Sequence, residues 1–515
     1  METAGVRSQK LGFLFGFVAA VLVVASIVLF IPRAGQPAYT PDSIYYILVS
    51  RAIDSGHGVN IFNYSLFDPH FVAYSMWPPL YPLLLASGLP PMFIQMALLG
   101  CIAGLVFVLL VRAARIHKLA ASVLAVVVVV PWPMLMDATY VWSEVFALLW
   151  VFLGVAALAG IGHGESMRRR VWFYWVLAVL ALSLAVYTRY AALVFLPGLM
   201  LALLRAPLSN RHRWGMVIAT PFLAGLFIAP LLVRNLMVSG HLSGAVRAAS
   251  EATSADLFSS VGLYVGWVFG GEAWQHGAFV VCVLALILVG FVYQIDRRRS
   301  KSFGNDVDTK AVWLAWIATS FAVAYVVGIV TLRAWKNFDL STRMVSPVAS
   351  LLLLALVAWA VVIWRGTPVL WQRMVLVVPF AALLGLSAST SWNMGWQAAR
   401  NWRATGSPQW HMSSLLVYSN LYPVTAPKLD GAVLNRRPAL MAFRTGWDFR
   451  HIPSGPWPHE QLVRIAASAR AVLIDSRESE QLARELQHVA PGARLIKVGG
   501  APILLWGKPQ SALGE

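Results

Sequence analysis

Residues 12–46 read GFLFGFVAAVLVVASIVLFIPRAGQPAYTPDSIYY, an apolar run that is followed shortly by Asp42. The run from Leu11 to Ile31 is long enough to cross a bilayer, and a short basic start precedes it. Signal peptides have a shorter apolar region and a small-residue cleavage site, so we expect a retained helix with a cytoplasmic N-terminus. A carboxylate this close to a bilayer is costly to keep, so Asp42 predicts chemistry at the membrane surface.

The composition places the chain among membrane proteins. Hydrophobic residues make up 59% and charged residues 12%, and the mean hydropathy is +0.68; a soluble domain carries about 25% charged residues. The net charge of +18 does not indicate nucleic-acid binding, because basic runs such as Arg168–Arg170 and Arg297–Arg299 adjoin apolar spans. Cys101 and Cys282 both lie in apolar runs, with no spacing typical of a metal site or a disulfide.

Eleven apolar runs predict about eleven transmembrane helices. Their approximate cores are 12–31, 92–111, 119–135, 141–161, 171–187, 190–204, 214–233, 276–294, 311–331, 344–364 and 373–390. With the N-terminus inside, the short inside segments hold 18 of the 40 Lys and Arg, whereas the longer outside loops between spans hold eight. This asymmetry agrees with an odd number of spans, and so predicts a multi-pass membrane protein with an extracytoplasmic C-terminus.

The sequence is least regular on the predicted outside face. Loops 32–91 and 234–275 are long, and we expect short interfacial helices with aromatic anchors in them. From about Ser391 the composition becomes polar and ends in a strand–helix–strand pattern with Gly499 and Gly500 as a turn. We therefore predict an all-α transmembrane domain over 1–390 and a small extracytoplasmic α/β domain over 391–515.

Three acidic residues are candidates for catalysis on the outside face. Asp42 suits a general base, although Thr40-Pro41-Asp42 also suits a helix start, where Asp42 would serve only in capping. Asp137 and Glu144 flank the predicted fourth span and would share one helix face if the helix extended that far. For these two, the alternative to an active-site role is a buried acid that pairs with an arginine in the packing.

Cations on the same face are candidates to bind a phosphate. Arginine binds phosphate oxygens bidentately, with two parallel hydrogen bonds. The candidates at or near span ends are Arg189, Arg234, Arg247, Arg333, Lys336 and Arg343. For each, snorkelling to the interface is the alternative. His57, between two glycines, could orient a sugar or phosphate or be an ordinary turn residue.

The order of these features resembles the polytopic glycosyltransferases that use lipid-phosphate sugars. These are the enzymes of the GT-C fold, including protein O-mannosyltransferases and the lipid A aminoarabinose transferases. The resemblance covers roughly residues 10–350 and depends on Asp42, the aromatic residues after it, the small-residue turn at Gly56-His57-Gly58 and the segment Pro78-Pro79-Leu80-Tyr81. It implies an inverting, mannosyltransferase-like enzyme with Asp42 as base and with substrate contacts at Tyr45 and Tyr81.

Two departures from the family pattern stand out. Asp42-Ser43 replaces the Asp-Glu pair of the protein O-mannosyltransferases, and Trp77 replaces the Lys that usually precedes the double proline in the aminoarabinose transferases. The phosphate-binding role of that Lys therefore has to pass to another cation. We expect at least one of Arg189, Arg234 and Arg343 to lie beside Asp42.

The resemblance implies a polyprenyl-phosphate sugar as donor and a lipid, glycan or protein as acceptor, with no nucleic acid. No P-loop, dinucleotide motif, HExxH or CxxC occurs, so no cofactor is assigned, and a bound divalent metal is left open. A transporter or flippase is the alternative function, although such proteins place charges at the midplane and show two related halves. A non-catalytic assembly subunit with a degenerate site is the third hypothesis.

Overall fold

The computed structural model of this protein describes most of its chain. The described residues are 2–30, 40–161, 168–244, 252–253, 256, 266, 268–269, 306–335, 342–367, 369–405, 433–435, 449–453, 455–474, 477–490, 492–498 and 501–506. These residues form two compact units, one built from 1–38, 75–81 and 89–406, and the other from 39–74, 82–88 and 407–515.

The first unit is a bundle of mostly apolar helices, the majority of them long enough to span a membrane. In chain order these are α1 (Glu2–Phe30), α4 (Pro91–Arg112), α5 (Lys118–Val129), α6 (Trp132–Thr139), α7 (Glu144–Ile161), α8 (Arg168–Thr188), α9 (Phe195–Leu203), α10 (Asn210–Ser239), α11 (Asp306–Trp335), α12 (Thr342–Gly366) and α13 (Leu370–Thr405). Among the described residues, eight helices are long and apolar enough to cross a membrane, or nine if the bent pair α5–α6 counts as one span. The protein is therefore a multi-pass membrane protein.

Two of the predicted spans differ from the described helices. The span predicted at 119–135 bends by 68° between α5 and α6. The break falls at Val130-Pro131, where proline removes a backbone donor and disfavours helical geometry in the residue before it. The span predicted at 190–204 is a 3₁₀ turn, Tyr190–Val194, followed by the short α9. The span at 276–294 lies outside the described residues, so the count of eleven stays a prediction.

A second break separates the two acidic residues that we expected on one helix. α6 ends at Thr139, Tyr140 adopts an extended backbone (φ −106°, ψ 160°), and α7 begins at Glu144. The expectation that Asp137 and Glu144 share a helix face at i and i+7 is therefore wrong. The two residues nevertheless lie near each other, because the C-terminal end of α6 and the N-terminal end of α7 are separated by only four residues.

The second unit begins with the first predicted outside loop. This loop folds into α2 (Pro41–Asp54), a hairpin of β1 (Asn60–Asn63) and β2 (His70–Ala73), and α3 (Leu80–Leu85), whose last residues belong to this unit. The hairpin is antiparallel, with Phe62 opposite Phe71. Short helices were expected in this loop, but the hairpin was not, because four-residue strands are too short to show a clear alternating pattern.

The rest of the second unit is a five-stranded sheet with two helices. Its elements are β3 (Val433–Asn435), β4 (Phe449–His451), α14 (His459–Ser468), β5 (Ala471–Leu473), α15 (Arg477–Gln487), β6 (Arg494–Val498) and β7 (Ala501–Leu505). The strand order is β4-β3-β5-β7-β6. β3 pairs in parallel with β4 and β5, whereas β7 is antiparallel to both β5 and β6. The predicted α/β pattern thus contains parallel β5 and β6, with β7 inserted between them.

The unit boundary differs from the predicted division at residue 391. α13 continues to Thr405, so the helical unit extends to Gly406. The boundary was predicted earlier because polar residues appear from Ser391, in the second half of that helix. The described parts of the sheet and of the first outside loop belong to one unit. The predicted division into 1–390 and 391–515 had instead placed this loop with the transmembrane helices.

Candidate functional site

Three predicted site residues meet inside the helical unit. The Oε1 atom of Glu144 lies 2.6 Å from Nη1 of Arg189 and 2.9 Å from Nε of Arg343. The side chains of Glu144 and Arg189 are almost fully buried, and that of Arg343 is 15% exposed. Both guanidinium groups therefore share one carboxylate oxygen in a region that is shielded from water, where charge interactions are strong.

The three residues come together because each lies at a helix end. Glu144 is the first residue of α7, Arg189 follows the last residue of α8, and Arg343 is the second residue of α12. A carboxylate at a helix N-terminus and a cation at a C-terminus each suit the helix dipole. Arg343 is a cation near a helix N-terminus, where the dipole disfavours it, and its ion pair with Glu144 offsets that cost.

Aromatic and sulfur groups complete the surroundings of the arginines. The guanidinium carbon of Arg343 lies 5.0 Å from the centre of the Trp142 ring, and Trp142 stacks on Tyr140 with ring centres 4.3 Å apart. Nη2 of Arg189 lies 3.1 Å from the sulfur of Met344. The segment Tyr140–Ser143 between α6 and α7 thus forms one wall of the cluster.

Asp137 lies in the same region. Its side chain is fully buried, and its Oδ2 atom makes a short hydrogen bond with the hydroxyl of Ser346. The Ser346 hydroxyl also lies 3.1 Å from the carbonyl oxygen of Arg343. The Oδ1 atom of Asp137 has no hydrogen-bond partner within the part of the chain that the structure describes. Asp137 is therefore a buried carboxyl group with one oxygen available to a further donor.

We call Asp137, Glu144, Arg189, Arg343 and Ser346 the buried charge cluster. Four of its members were predicted from the sequence, whereas Ser346 was not. A signal was present, since Ser346 lies three residues after Arg343 and so on the same side of α12. The pairing of Glu144 with arginines is the arrangement that the sequence analysis gave as the alternative to an active-site role.

Arg234 and Lys336 are the two other cations that were predicted to bind the substrate. Arg234 lies within α10, which continues to Ser239, so it does not end the helix as predicted. The next residue, Asn235, donates hydrogen bonds to the Tyr190 hydroxyl at 2.8 Å and to the carbonyl of Leu242 at 3.0 Å. Lys336 lies outside the described residues, as does Arg247, so their roles stay predictions.

Asp42 lies in the first turn of α2, in the second unit. Thr40 caps this helix, with its hydroxyl oxygen 3.2 Å from the amide nitrogen of Ser43. Asp42 is therefore not the capping residue, but a carboxylate in the first turn suits the helix dipole, and its role as a base stays a prediction. Tyr45 lies one turn further on, where burial and then the Asp42 carboxylate raise the pKa of its hydroxyl.

The remaining predicted site residues occupy two different settings. The His57 ring is exposed and stacks on Phe71 with ring centres 3.9 Å apart. Tyr81 is fully buried in the helical unit, where its hydroxyl accepts a hydrogen bond from Gln95 at 2.8 Å. The substrate contacts predicted for His57 and Tyr81 stay predictions, as does the expected neighbourhood of Asp42 and an arginine.

No group of three or more His, Cys, Asp or Glu side chains that could hold a metal ion occurs among the described residues. The buried charge cluster presents two carboxyl groups, and both face hydrogen-bond donors of the protein. The metal that the sequence analysis left open is therefore not assigned to any residues.

Comparison with known proteins gives similarity in structure but not in sequence. No protein-family model matches the chain, and no curated protein matches it. ArnT from Cupriavidus metallidurans bound to undecaprenyl phosphate is similar, with a TM-score of 0.56 at 13% identity over 96% of this chain and 98% of that chain. The apo state of the same ArnT gives a TM-score of 0.55 at 13% identity, with the same coverage.

The oligosaccharyltransferase of Archaeoglobus fulgidus in its apo form also aligns, with a TM-score of 0.49 at 13% identity over 93% of this chain and 73% of that chain. The similarity to ArnT extends over nearly the whole of both chains. The polytopic fold expected from the sequence is thereby confirmed. This chain has the GT-C fold, the fold of ArnT.

Proposed function

We propose that this protein is an inverting glycosyltransferase that moves a sugar from a polyprenyl-phosphate donor to an acceptor at the outer face of the bacterial inner membrane. The observation that carries the proposal is the ArnT-like fold over 96% of the chain, since ArnT in that structure is bound to undecaprenyl phosphate. The cationic, buried ends of α8 and α12 support it, because a lipid phosphate needs such charges at the membrane surface.

In the proposed reaction, an acceptor hydroxyl or amine attacks the anomeric carbon of the sugar. The bond between that carbon and the phosphate oxygen breaks, and polyprenyl phosphate leaves with the bonding electrons. The carboxylate of Asp42 takes the proton from the acceptor, which general-base catalysis requires. Attack from the side opposite the phosphate inverts the configuration at the anomeric carbon.

Arg189 and Arg343 are the proposed phosphate ligands. Together with Glu144 they carry one net positive charge, since two guanidinium groups face one carboxylate. A dianionic phosphate would therefore compete with Glu144 for the same donors. Positive charge held in place beside the leaving oxygen stabilises the developing phosphate dianion.

The experiment that tests this function uses the purified full chain in lipid nanodiscs. Mass spectrometry of co-purified lipid identifies the bound polyprenyl species, and titration with undecaprenyl phosphate measures its affinity. Incubation with undecaprenyl-phosphate sugars and candidate lipid, glycan and peptide acceptors should yield glycosylated product and free undecaprenyl phosphate in equal amounts. Binding without cleavage of the sugar–phosphate bond would instead favour a transporter, and neither binding nor cleavage would favour a non-catalytic subunit.

A further inference from the structure

The tip of the β1–β2 hairpin, residues 64–69, contacts the core of the C-terminal sheet. Leu66 and Phe67 pack against the cluster of buried apolar side chains there, which includes Leu462 and Ile465 of α14. All of these residues belong to the second unit. The hairpin therefore contributes two side chains to a hydrophobic core that is otherwise built from residues several hundred positions later in the chain.

Cation–π contacts hold the same hairpin at two further points. The guanidinium carbon of Arg464, on α14, lies 4.2 Å from the centre of the Phe67 ring. That of Arg450, on β4, lies 5.2 Å from the centre of the Phe62 ring. Each such contact favours the docked hairpin, and it does so most strongly where the cation is partly shielded from water.

A backbone hydrogen bond joins the hairpin to the edge of the sheet. The amide of His451, on β4, donates to the carbonyl oxygen of Tyr64 at 2.8 Å. β4 is an edge strand of the five-stranded sheet. An edge strand presents unpaired backbone groups, and covering them is a common way to close a sheet. The hairpin covers part of this edge.

The hairpin is in turn continuous with the helix that carries Asp42. The chain leaves α2 through the glycine turn, in which the amide of His57 donates to the carbonyl of Ala52 at 2.8 Å. The amide of Tyr74, just after β2, donates to the carbonyl of Val59 at 3.1 Å. Tyr74 also stacks on Tyr45 of α2, at 6.3 Å between ring centres. Hydrogen bonds and ring contacts thus connect Asp42, through the hairpin, to the core of the sheet.

We infer that the C-terminal sheet is the positioning element for the Asp42-bearing helix, with Phe67 as the anchor and Arg464 and Arg450 as the clamps that hold the hairpin. Undocking of the hairpin tip should release α2, although the tip and Asp42 are far apart along the loop. The consequence for catalysis rests on the proposed function, whereas the coupling between tip and helix does not. Phe67, Arg464 and Arg450 are accordingly positioning residues and not catalytic ones.

Hydrogen exchange of the full chain in nanodiscs, followed by mass spectrometry, tests this inference. Exchange reports local opening, so Phe67→Ala should speed exchange by about tenfold in segments 41–54 and 60–73. Arg464→Ala should give a smaller acceleration in the same segments, about two- to fivefold, because it removes the cation and its stem but leaves the Phe67 ring against the core. Phe67→Tyr and Arg464→Lys should return exchange toward the wild-type rate, since they keep the ring and the charge.

Two controls keep the test decisive. Arg484→Ala removes an exposed ion pair with Glu480 on α15 of the same sheet domain and should leave segment 41–54 unchanged. Phe67→Ala could loosen the whole sheet, which would appear as faster exchange at β5. In that case Arg464→Ala is the deciding variant, because Arg464 is exposed and its loss leaves the hydrophobic core intact. Unchanged exchange at 41–54 in Arg464→Ala, or equal acceleration in Arg484→Ala, would overturn the inference. If hydrogen exchange shows the coupling but the wild-type protein transfers no sugar from undecaprenyl-phosphate donors, the inference stands and the proposed function alone is refuted.

Discussion

Arg189 and Arg343 bind the same oxygen atom of Glu144, at 2.6 and 2.9 Å, although they lie at the ends of two helices that are far apart in the sequence. The carboxylate is therefore the link between the ends of α8 and α12. Any ligand that needs the two guanidinium groups has to share them with Glu144 or displace it.

Replacing Glu144 with Gln should strongly destabilise the protein. It leaves two buried guanidinium groups without their counterion, a change that costs about 3–5 kcal/mol in free energy of unfolding. Glu480→Gln is the matched control, because it breaks an exposed ion pair with Arg484 that is worth about 0–1 kcal/mol. Thermal unfolding in detergent measures both. Similar melting temperatures for the two variants would show that the buried pairing does not stabilise the fold.

Arg189→Ala and Arg343→Ala should each weaken the binding of undecaprenyl phosphate. A hydrogen bond to a charged group contributes about 1.5–3 kcal/mol, so the dissociation constant should rise by roughly 10- to 150-fold. Arg205→Ala is the control. Arg205 is exposed and lies just after the last residue of α9, so this variant should bind the lipid with normal affinity. If Glu144 competes with phosphate, Glu144→Gln that remains folded should bind the lipid more tightly than wild type. Normal affinity in both arginine variants would remove them from the phosphate site.

Asp42→Asn should abolish most of the transfer activity while the protein stays folded. The amide keeps the shape of the side chain but cannot accept the proton, and loss of a general base lowers turnover by about 10²–10⁴-fold. Asp54→Asn changes an exposed acid at the opposite end of the same helix and should leave turnover unaltered. Turnover of the purified variants with the identified donor and acceptor is the measurement. A nearly normal rate for Asp42→Asn would exclude it as the base.

Gly244→Ala should destabilise the helical unit more than Gly240→Ala does. Both glycines have a positive φ, 75° and 71°, so alanine is strained at either position by about 1–2 kcal/mol. At Gly244, however, an added Cβ would lie only 1.9 Å from the backbone oxygen of Ser75, whereas nothing lies within 4 Å at Gly240. Because both variants share the strain of a positive φ, the difference between their melting temperatures measures the effect of the close contact with Ser75. Equal losses would show that Ser75 and Gly244 are not in close contact.

A reporter fused after Glu515 should report an extracytoplasmic location. The reason is the excess of Lys and Arg in the predicted inside segments, which orients a multi-pass protein with its basic loops in the cytoplasm. Paired fusions of an enzyme active only outside and a fluorophore active only inside distinguish the two orientations. A cytoplasmic signal from the C-terminal fusion would contradict the eleven-span topology and the outside location of Asp42.

Most of the helical unit was predictable because its cause is local. A run of apolar residues of bilayer length forms a helix wherever it stands, so Pro91–Arg112 and Glu144–Ile161 follow from the sequence alone. The bend after α5 was also encoded locally, in Val130-Pro131, but the apolar run continues across it and hides it. The β1–β2 hairpin escaped prediction because its short strands depend on cross-strand pairs such as Phe62 with Phe71.

The sequence by itself determined the membrane class, most of the spans, and the identities of Asp42, Glu144, Arg189 and Arg343 as candidate residues. Ionisable residues next to apolar runs are visible one at a time, because each is costly where it stands. Only the tertiary structure decided which of them meet. The pairing of Glu144 with both arginines, and the docking of Phe67 beneath Arg464, exist because packing brings distant segments together. Such contacts depend on the relative positions of helix ends and sheet edges, which no pattern within a single segment specifies.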